Sequence, residues 1–275
     1  MWASAPTIEE YAMSRLLFTK EGVSIWSSHL DLMRALMRSF RRAGIELKHS
    51  QGFTPHPELS ILMPLSVGVE SRCEIAEFAL AEGCEIPAEE IAARLNPVLP
   101  AGIRALESWE GGQKAGKLAW LRARLTLSYE ASGIRHQASG DGGADSSAPL
   151  RSPFDFAQGK AENDRIEAIR ALFGRPSLVV EKHGKKGVVE TDIASMIREL
   201  VVKGTGNGEP GTGDAADSAA GENAVVLEAV VAAQNPTLNP LLLATAIERY
   251  LPEYKPALVQ CRRLEIYDAD LRPFR

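Results

Sequence analysis

The clearest periodic pattern in the chain lies in residues 28–44, SHLDLMRALMRSFRRAG. Apolar residues recur there every three or four positions, as on one face of an α-helix. Ser28 and Asp31 form an S-x-x-D start signal, and Gly44 supplies a stop. The pattern therefore predicts a helix over residues 28–44. Its apolar positions are Leu30, Met33, Leu36, Met37 and Phe40.

The sequence patterns on either side of this helix predict the other elements of a β-α-β-β-α-β unit. Residues 16–27 have an extended pattern, interrupted at Glu21 and Gly22, and two strands are expected over residues 60–71 and 74–81, joined near Ser71 and Arg72. A second helix opens at Pro87, and a strand over residues 103–109 closes the unit. The order is β-α-β-β-α-β, which is the ferredoxin-like arrangement.

A second pass with weaker signals follows. It consists of strand 118–130, helix 166–174, strand 177–184, a turn into 186–202, strand 224–234, helix 239–251 and strand 259–271. We therefore expect an α+β protein with two tandem ferredoxin-like halves and antiparallel sheets, covering residues 14–112 and 117–272. One larger α+β sheet is the alternative. Residues 132–165 and 204–223 are rich in Gly, Ser, Ala and Asp without an apolar period, which predicts two flexible, disordered loop insertions.

Composition limits the classes of protein. The longest apolar runs fall short of the ~18 residues that a membrane span requires. Residues 1–15 are acidic and contain proline, unlike a signal peptide, so we expect a cytoplasmic protein that starts at Met1 or Met13. The three cysteines, Cys73, Cys84 and Cys261, are too scattered for a disulfide framework, a zinc site or an iron-sulfur cluster. We therefore expect no cofactor held by this chain alone.

The net charge of −5 hides a division along the chain. Residues 15–57 carry seven basic and three acidic side chains, whereas residues 58–100 carry two basic and eight acidic ones. Four arginines of the predicted helix lie within about 100° of arc, beside the apolar stripe. They are a candidate surface for phosphates. The alternative is a solvated face in which Asp31 pairs with Arg34. The four are Arg34, Arg38, Arg41 and Arg42.

The connector 48–60, KHSQGFTPHPELS, is unusually constrained. Gly52 permits a tight turn, Pro55 and Pro57 fix the backbone on either side of His56, and Phe53 offers a ring for stacking. Such rigidity is expected where an imidazole must be presented in one pose. A loop histidine with an ordinary hydrogen bond is the alternative.

His29 lies at the first turn of the helix, where the dipole favours an anion and an imidazole can act as acid or base. A packing or capping role is the alternative. We expect His29, the arginines, the connector and the turn at residues 66–74 to converge on a shared site.

Several motifs together resemble the radical-SAM-linked protein family, a domain found fused to, or encoded beside, radical SAM enzymes. They are SHLDLMR at 28–34, RRAG at 41–44, S-x-G-F-x-P-H-P-x-L-S at 50–60, P-L-x-x-G at 64–68 and E-S-x-x-E at 70–74. The chain has no C-x-x-x-C-x-x-C motif. The resemblance therefore implies that the 4Fe-4S cluster and S-adenosylmethionine belong to a separately encoded radical SAM enzyme.

Two hypotheses follow. In the first, the chain is a non-catalytic accessory that binds the substrate, expected to be RNA, for a radical SAM enzyme and has no membrane partner. In the second, it is a metal-independent RNA endonuclease with His29 or His56 as general base. A metal site of His29, His49, His56 and Asp31 is a weaker third alternative. The expected binding residues are Arg34, Arg38, Arg41, Arg42, Lys48, Ser50, Gly52, Phe53, His56, Gly68, Glu70, Ser71 and Glu74.

Overall fold

The computed structural model describes residues 13–51, 53–129, 153–184, 187–204 and 224–275. Within them the chain forms a mixed α+β fold with four α-helices and mostly antiparallel β-structure. The helices are α1 (His29–Arg42), α2 (Ala88–Leu95), α3 (Pro153–Phe173) and α4 (Leu241–Tyr250). The strands are β1 (Ser14–Lys20), β2 (Leu59–Ile61), β3 (Val69–Phe78), β4 (Ile103–Glu110), β5 (Leu118–Ser128), β6 (Val179–Gly184), β7 (Gly187–Asp192), β8 (Ile197–Gly204), β9 (Ala224–Ala232) and β10 (Leu258–Asp268).

The chain divides into two compact units, one of Met1–Leu121 with Arg262–Arg275 and one of Arg122–Cys261. In the first unit the strands follow the order β4-β1-β3-β10, and the short β2 also pairs with β3. β1 lies antiparallel to β3 and to β4, with Leu16 opposite Ala76 and Ser108. The element order β1-α1-β2-β3-α2-β4 is the order that the sequence predicts for residues 14–112.

The core of the first unit lies between the sheet and its two helices. All seven residues of β1 are buried, and Leu16 and Phe18 belong to the core. Leu36 and Phe40 of α1 pack into the same cluster, and the ring of Phe40 lies 4.9 Å from that of Phe78. Burying each such side chain stabilises the fold by ~1.5 to 3 kcal/mol. The buried stripe of α1 leaves its opposite face exposed.

The segment after β1 is not an extended strand as predicted. Gly22 adopts a left-handed φ of +56°, and Gly22–Trp26 form a 3₁₀ helix. Its backbone is tied down from outside, because the buried Lys20 Nζ donates to Ile25 O at 3.2 Å and to Ser27 O at 3.1 Å. The buried lysine thus holds a 3₁₀ helix five to seven residues further on, where the local pattern favours a strand.

The predicted turn near Ser71 and Arg72 is also wrong. Both residues lie inside β3, and the connection from β2 occupies residues 62–68. Pro64 has no N–H for a sheet ladder, and Gly68 takes a φ of +82°, so the chain turns there. Ser71 is instead buried within β3, and Arg72 Nε donates to Glu21 Oε1 at 3.2 Å.

The second unit has strands in the order β5-β9-β8, with β8 antiparallel to β9, and a separate hairpin of β6 and β7. The predicted single element over residues 186–202 is divided. Asp192 ends β7 because its Oδ1 accepts from the amides of Leu178 and Ala194, at 2.8 and 3.0 Å. These backbone hydrogen bonds lower the pKa of Asp192.

Helix α3 begins at Pro153, thirteen residues before the predicted start at 166, so residues 153–165 are helical rather than a loop. The sequence there has Ala, Gln, Lys and Glu, which favour a helix even without an apolar period. The rest of the two expected insertions, 132–152 and 205–223, lies outside the described residues. No helix in the described ranges is long and apolar enough to cross a membrane.

Candidate functional site

Helix α1 forms one wall of the candidate site. Its N-cap is Ser28, whose hydroxyl oxygen accepts from the amide of Asp31 at 3.2 Å and lies 2.7 Å from Asp31 Oδ2. The chain leaves the helix after Arg42 through Gly44, which has a φ of +70°. The start and stop signals therefore act as predicted, and they fix which residues face solvent.

The exposed face of α1 carries four arginines and one aspartate, so most of its positive charge has no carboxylate partner on the helix. Asp31 accepts from Arg34 Nη1 at 3.2 Å, in a pair whose two side chains are about 60% exposed. The Ser28 hydroxyl, and then Arg34, lower the pKa of Asp31. No carboxylate in the described part of the chain pairs with Arg38, Arg41 or Arg42. The helix thus presents guanidinium groups that only solvent or a ligand satisfies.

The connector folds back as a closed loop opposite this wall. Its base is held on both sides, because Lys48 N donates to Ala79 O at 2.9 Å and Glu58 N donates to Lys48 O at 2.7 Å. Further along, His49 and Pro57 form an antiparallel bridge. We call residues 49–57, apart from the undescribed Gly52, the 49–57 loop. Its base is fixed to Ala79, the residue after β3, so its position relative to the sheet is set.

Ser50 and His56 close this loop a second time. Ser50 N donates to His56 O at 2.9 Å, and His56 N donates to Ser50 Oγ at 3.2 Å. The same oxygen lies 2.9 Å from His56 Nδ1. The expected rigidity around His56 is therefore present, although it comes from Ser50 as much as from the flanking prolines.

The arginine face and the 49–57 loop enclose a groove of about 720 Å³, which we call the α1 groove. Three arginines and one carboxylate, that of Glu46, line it, so its wall is positively charged. Apolar atoms of Met37 and Ile45 lie between the charges. The full lining is Arg34, Met37, Arg38, Phe40, Arg41, Gly44, Ile45, Glu46, Leu47, His49, Pro55, Pro57 and Ala81.

His49 is the histidine that lines the α1 groove in the described residues, and the sequence analysis considered it only as a ligand of a metal site. Its Nδ1 lies 3.0 Å from Leu47 O. A carbonyl oxygen only accepts, so Nδ1 carries the proton and Nε2 is the basic nitrogen of the neutral ring.

The other predicted binding residues on α1 and the loop do not line the groove. Phe53 is fully exposed in the loop. Arg42 is exposed on α1 but is not part of the groove wall, and Lys48 is half-buried at the base of the loop. Gly52 lies outside the described residues. Of the predicted arginines, Arg34, Arg38 and Arg41 therefore line the same groove as the 49–57 loop.

None of residues 66–74 lines the α1 groove, so the predicted convergence of this segment on the groove is not observed. Gly68 N donates to Ile25 O at 2.9 Å, which places the turn against the 3₁₀ helix. Glu70 accepts from Arg262 Nε at 2.7 Å. Ser71 and Glu74 are 0% and 1% exposed, so a ligand on the surface does not reach them.

Glu74 instead belongs to a buried structural cluster. Arg263 Nη1 donates to Glu74 Oε1 at 3.2 Å and to Met63 O at 2.7 Å, while its Nη2 donates to Pro64 O at 3.0 Å. One guanidinium therefore joins β10, β3 and the turn after β2. Glu74 also attracts Lys20, although burial lowers the pKa of Lys20. The E-S-x-x-E motif thus holds the sheet together.

His29 is half-buried at the first turn of α1, and its Nδ1 has no hydrogen-bond partner within the described chain. It is not part of the groove wall, and neither is His56. Among the described residues, no three His, Cys, Asp or Glu side chains form a group able to hold a metal ion. His29, His49, His56 and Asp31 therefore do not form the suggested metal site.

Comparison with known protein families finds a match over most of the chain. The family model described as "Uncharacterized protein conserved in bacteria (DUF2344)" matches residues 14–240 of the 275. The matched range contains α1, the 49–57 loop and every residue of the α1 groove. The search of curated proteins finds no match.

Proposed function

We propose that this chain, which belongs to the bacterial DUF2344 family, binds single-stranded RNA in the α1 groove as the accessory partner of a radical SAM enzyme. The family description names no ligand, so the case for RNA rests on the groove. The observation that carries it is the wall of Arg34, Arg38 and Arg41 against the single carboxylate of Glu46.

Arginines in this arrangement suit phosphates. A guanidinium presents a planar fork of donors that matches two phosphate oxygens, and it stays charged at any physiological pH. Arg34, Arg38 and Arg41 recur at helical spacing, so their Cα atoms rise by about 10 Å along α1. That separation suits contacts to successive phosphates of one strand. A polyanion is therefore a better fit than a small anion, which a single arginine could hold.

The 49–57 loop favours an unpaired strand over a duplex. Phe53 is fully exposed, and the loop that carries it is closed by the contacts of Ser50 with His56. Exposure of an apolar ring to water is unfavourable, so a ligand that covers the ring would gain binding energy. Bases of a duplex are stacked on each other, whereas unpaired bases stack on aromatic side chains. Pro55, two residues after Phe53, lines the groove, so the Cα of Phe53 lies within about 7 Å of the Cα of a groove residue. In this proposal one RNA strand places its phosphates on the arginines of α1 and one of its bases on Phe53.

The partner is proposed from the resemblance of the sequence motifs to the radical-SAM-linked family. The cysteines support the assignment of the cluster to a partner. Cys73 and Cys261 are 2% and 4% exposed, and the sequence has no cluster motif. Burial also raises the pKa of the Cys73 thiol, which disfavours the thiolate that binds iron. The 4Fe-4S cluster and S-adenosylmethionine would then be bound by the partner enzyme. This chain would present the substrate.

We also propose the finer description of the fold, two tandem ferredoxin-like halves. In support, the first unit has the element order β1-α1-β2-β3-α2-β4. The second has β5-α3-β8-β9-α4-β10, once the β6–β7 hairpin is counted as an insertion after α3. Fold alone assigns no function, but this arrangement resembles that of RNA endonucleases that process CRISPR repeats.

A second candidate function is cleavage of the bound RNA by this chain. The observation in its favour is His49, which lines the groove with its Nε2 as the basic nitrogen, beside arginines that would stabilise a phosphorane. His29 and His56, the histidines suggested by sequence, do not line the groove. This candidate predicts RNA cleavage in the presence of chelator that His49→Ala abolishes while RNA binding persists.

The first experiment is purification of the tagged protein from its host under low oxygen, with and without ribonuclease. Recovery of an iron-sulfur radical SAM enzyme in both samples supports the accessory function. Recovery only without ribonuclease means that RNA bridges the two proteins. RNA recovered without such an enzyme contradicts the partner and leaves RNA binding standing. Recovery of neither contradicts the proposal.

A further inference from the structure

Three exposed apolar residues lie together at the N-terminal end of α1. Val23 and Trp26 are 73% and 71% exposed, and Val67 is 52% exposed. Val23 and Trp26 are three residues apart in a 3₁₀ helix, so their side chains lie on the same side. A Cβ placed on Gly68 would lie 3.7 Å from the Trp26 ring, so the backbone that follows Val67 passes close to that ring. We call Val23, Trp26 and Val67 the Trp26 platform.

The backbone under this platform is held in place. Lys20 Nζ, itself buried, donates to the carbonyls of Ile25 and Ser27 on either side of Trp26. Ser27 Oγ donates to Ser24 O at 2.6 Å, and Gly68 N donates to Ile25 O at 2.9 Å. An indole on so fixed a backbone loses little entropy when it binds a ligand. The large exposed ring is thus pre-organised.

Trp26 of the platform lies shortly before α1 in the chain, and α1 carries the arginines of the α1 groove. Leu30, Arg34, Arg38 and Arg41 lie within about 80° of arc on α1 and rise by about 16 Å. Leu30 is 63% exposed and stands one turn before Arg34. Trp26 precedes Leu30 by four residues, so their Cα atoms are within about 14 Å. Trp26 is therefore within reach of an extended ligand that lies on the arginines and continues past Arg34.

We propose that the single-stranded RNA in the α1 groove continues past Arg34 and stacks an unpaired base on Trp26; this rests on the function proposed above. The occupant is a base because the adjoining surface carries arginine, which suits the phosphates of the same strand. Trp26 is then a second stacking position in addition to Phe53. With about 3.4 Å per stacked nucleotide, the 16 Å of α1 corresponds to roughly five nucleotides.

The experiment measures binding of the full-length protein to fluorescent oligouridylates of two to eight nucleotides by anisotropy. In the wild type, affinity rises steeply up to roughly five or six nucleotides. Trp26→Ala weakens binding of the eight-nucleotide strand by about 5- to 150-fold, the range for loss of one stacked base. It leaves the dinucleotide unaffected because a ligand on the arginines needs several nucleotides to reach Trp26. Leu106→Ala, which removes an exposed leucine of β4, is the matched control and leaves both unchanged.

Two conservative variants separate stacking from simple apolar contact. Trp26→Phe keeps an aromatic ring and retains most of the affinity for the eight-nucleotide strand, whereas Trp26→Leu does not. Equal binding by Trp26→Leu and wild type overturns stacking on Trp26. If Arg38→Ala loses RNA while Trp26→Ala does not, the platform is wrong and the groove remains. If the wild type binds no RNA, both proposals fail.

Discussion

Ser50 Oγ lies 2.9 Å from His56 Nδ1 and also accepts the backbone amide of His56 at 3.2 Å. One small hydroxyl therefore fixes both the backbone and the ring of a residue six positions away. This closure holds the 49–57 loop over the α1 groove and sets where Phe53 is presented. The geometry accounts for a serine and a histidine at these positions without a catalytic role for either.

Replacement of Ser50 tests this closure. Ser50→Ala removes both contacts of the hydroxyl with His56, so we expect RNA binding to weaken by at least about 2- to 12-fold, the effect of losing one hydrogen bond of ~0.5 to 1.5 kcal/mol. The melting temperature stays within about 2 °C because the loop is exposed. Anisotropy and thermal unfolding measure the two. Ser60→Ala, at an exposed serine of β2, is the control, and equal RNA binding by both variants would contradict a positioning role.

Phe53 is expected to contribute to binding and nothing to folding. Its side chain is fully exposed, so Phe53→Ala leaves the free energy of unfolding within ~0.5 kcal/mol. Loss of a stacked base costs ~1 to 3 kcal/mol of binding free energy. Phe53→Trp keeps a stacking ring and retains affinity. A Phe53→Ala variant that binds single-stranded RNA within twofold of the wild type would sink the proposed stacking.

The buried pair of Glu74 and Arg263 is expected to be structural. Arg263→Met leaves the 1% exposed carboxylate of Glu74 without its partner and frees the carbonyls of Met63 and Pro64. Breaking such a pair costs ~3 to 5 kcal/mol of unfolding free energy, which denaturant titration measures. Arg272→Met is the control, since its pair with Asp270 spans 3.7 Å at the surface. Equal stability of the two variants would refute the structural assignment.

Thiol labelling tests the burial of the cysteines. Cys84 is partly exposed, whereas Cys73 and Cys261 are buried. Burial raises the pKa of the Cys73 thiol, so the reactive thiolate stays absent at pH 8. We expect iodoacetamide to modify Cys84 in the native protein and the other two only in denaturant, as read by mass spectrometry. Rapid native labelling of Cys73 would contradict this packing.

The sequence predicts α1 and its arginine face well because that information is local. The Ser28 cap, the apolar period and Gly44 all lie within 17 residues. The enclosure of the groove is different, since it depends on how the 49–57 loop is tied to β3 through Lys48 and Ala79. His49 was missed as a binding residue for that reason.

Glu70, Ser71 and Glu74 were misplaced for a related reason. Polar residues in a short run usually indicate a turn, but here Arg262 and Arg263 meet the two glutamates from about 190 residues away. Nothing in the local pattern reports such partners. Likewise, Lys20 reads as a surface lysine in sequence and is a buried donor to the 3₁₀ helix in the structure.

The most direct test of the account is the salt dependence of single-stranded RNA binding by wild type, Arg38→Ala and Arg42→Ala. All three remain folded because both arginines are exposed. Arg38 lines the α1 groove and Arg42 does not. For single strands the slope of log K against log salt concentration is about −0.7 per phosphate contact. We predict a slope shallower by about 0.7 in Arg38→Ala and an unchanged slope in Arg42→Ala. Identical slopes in all three proteins would contradict phosphate binding in the α1 groove.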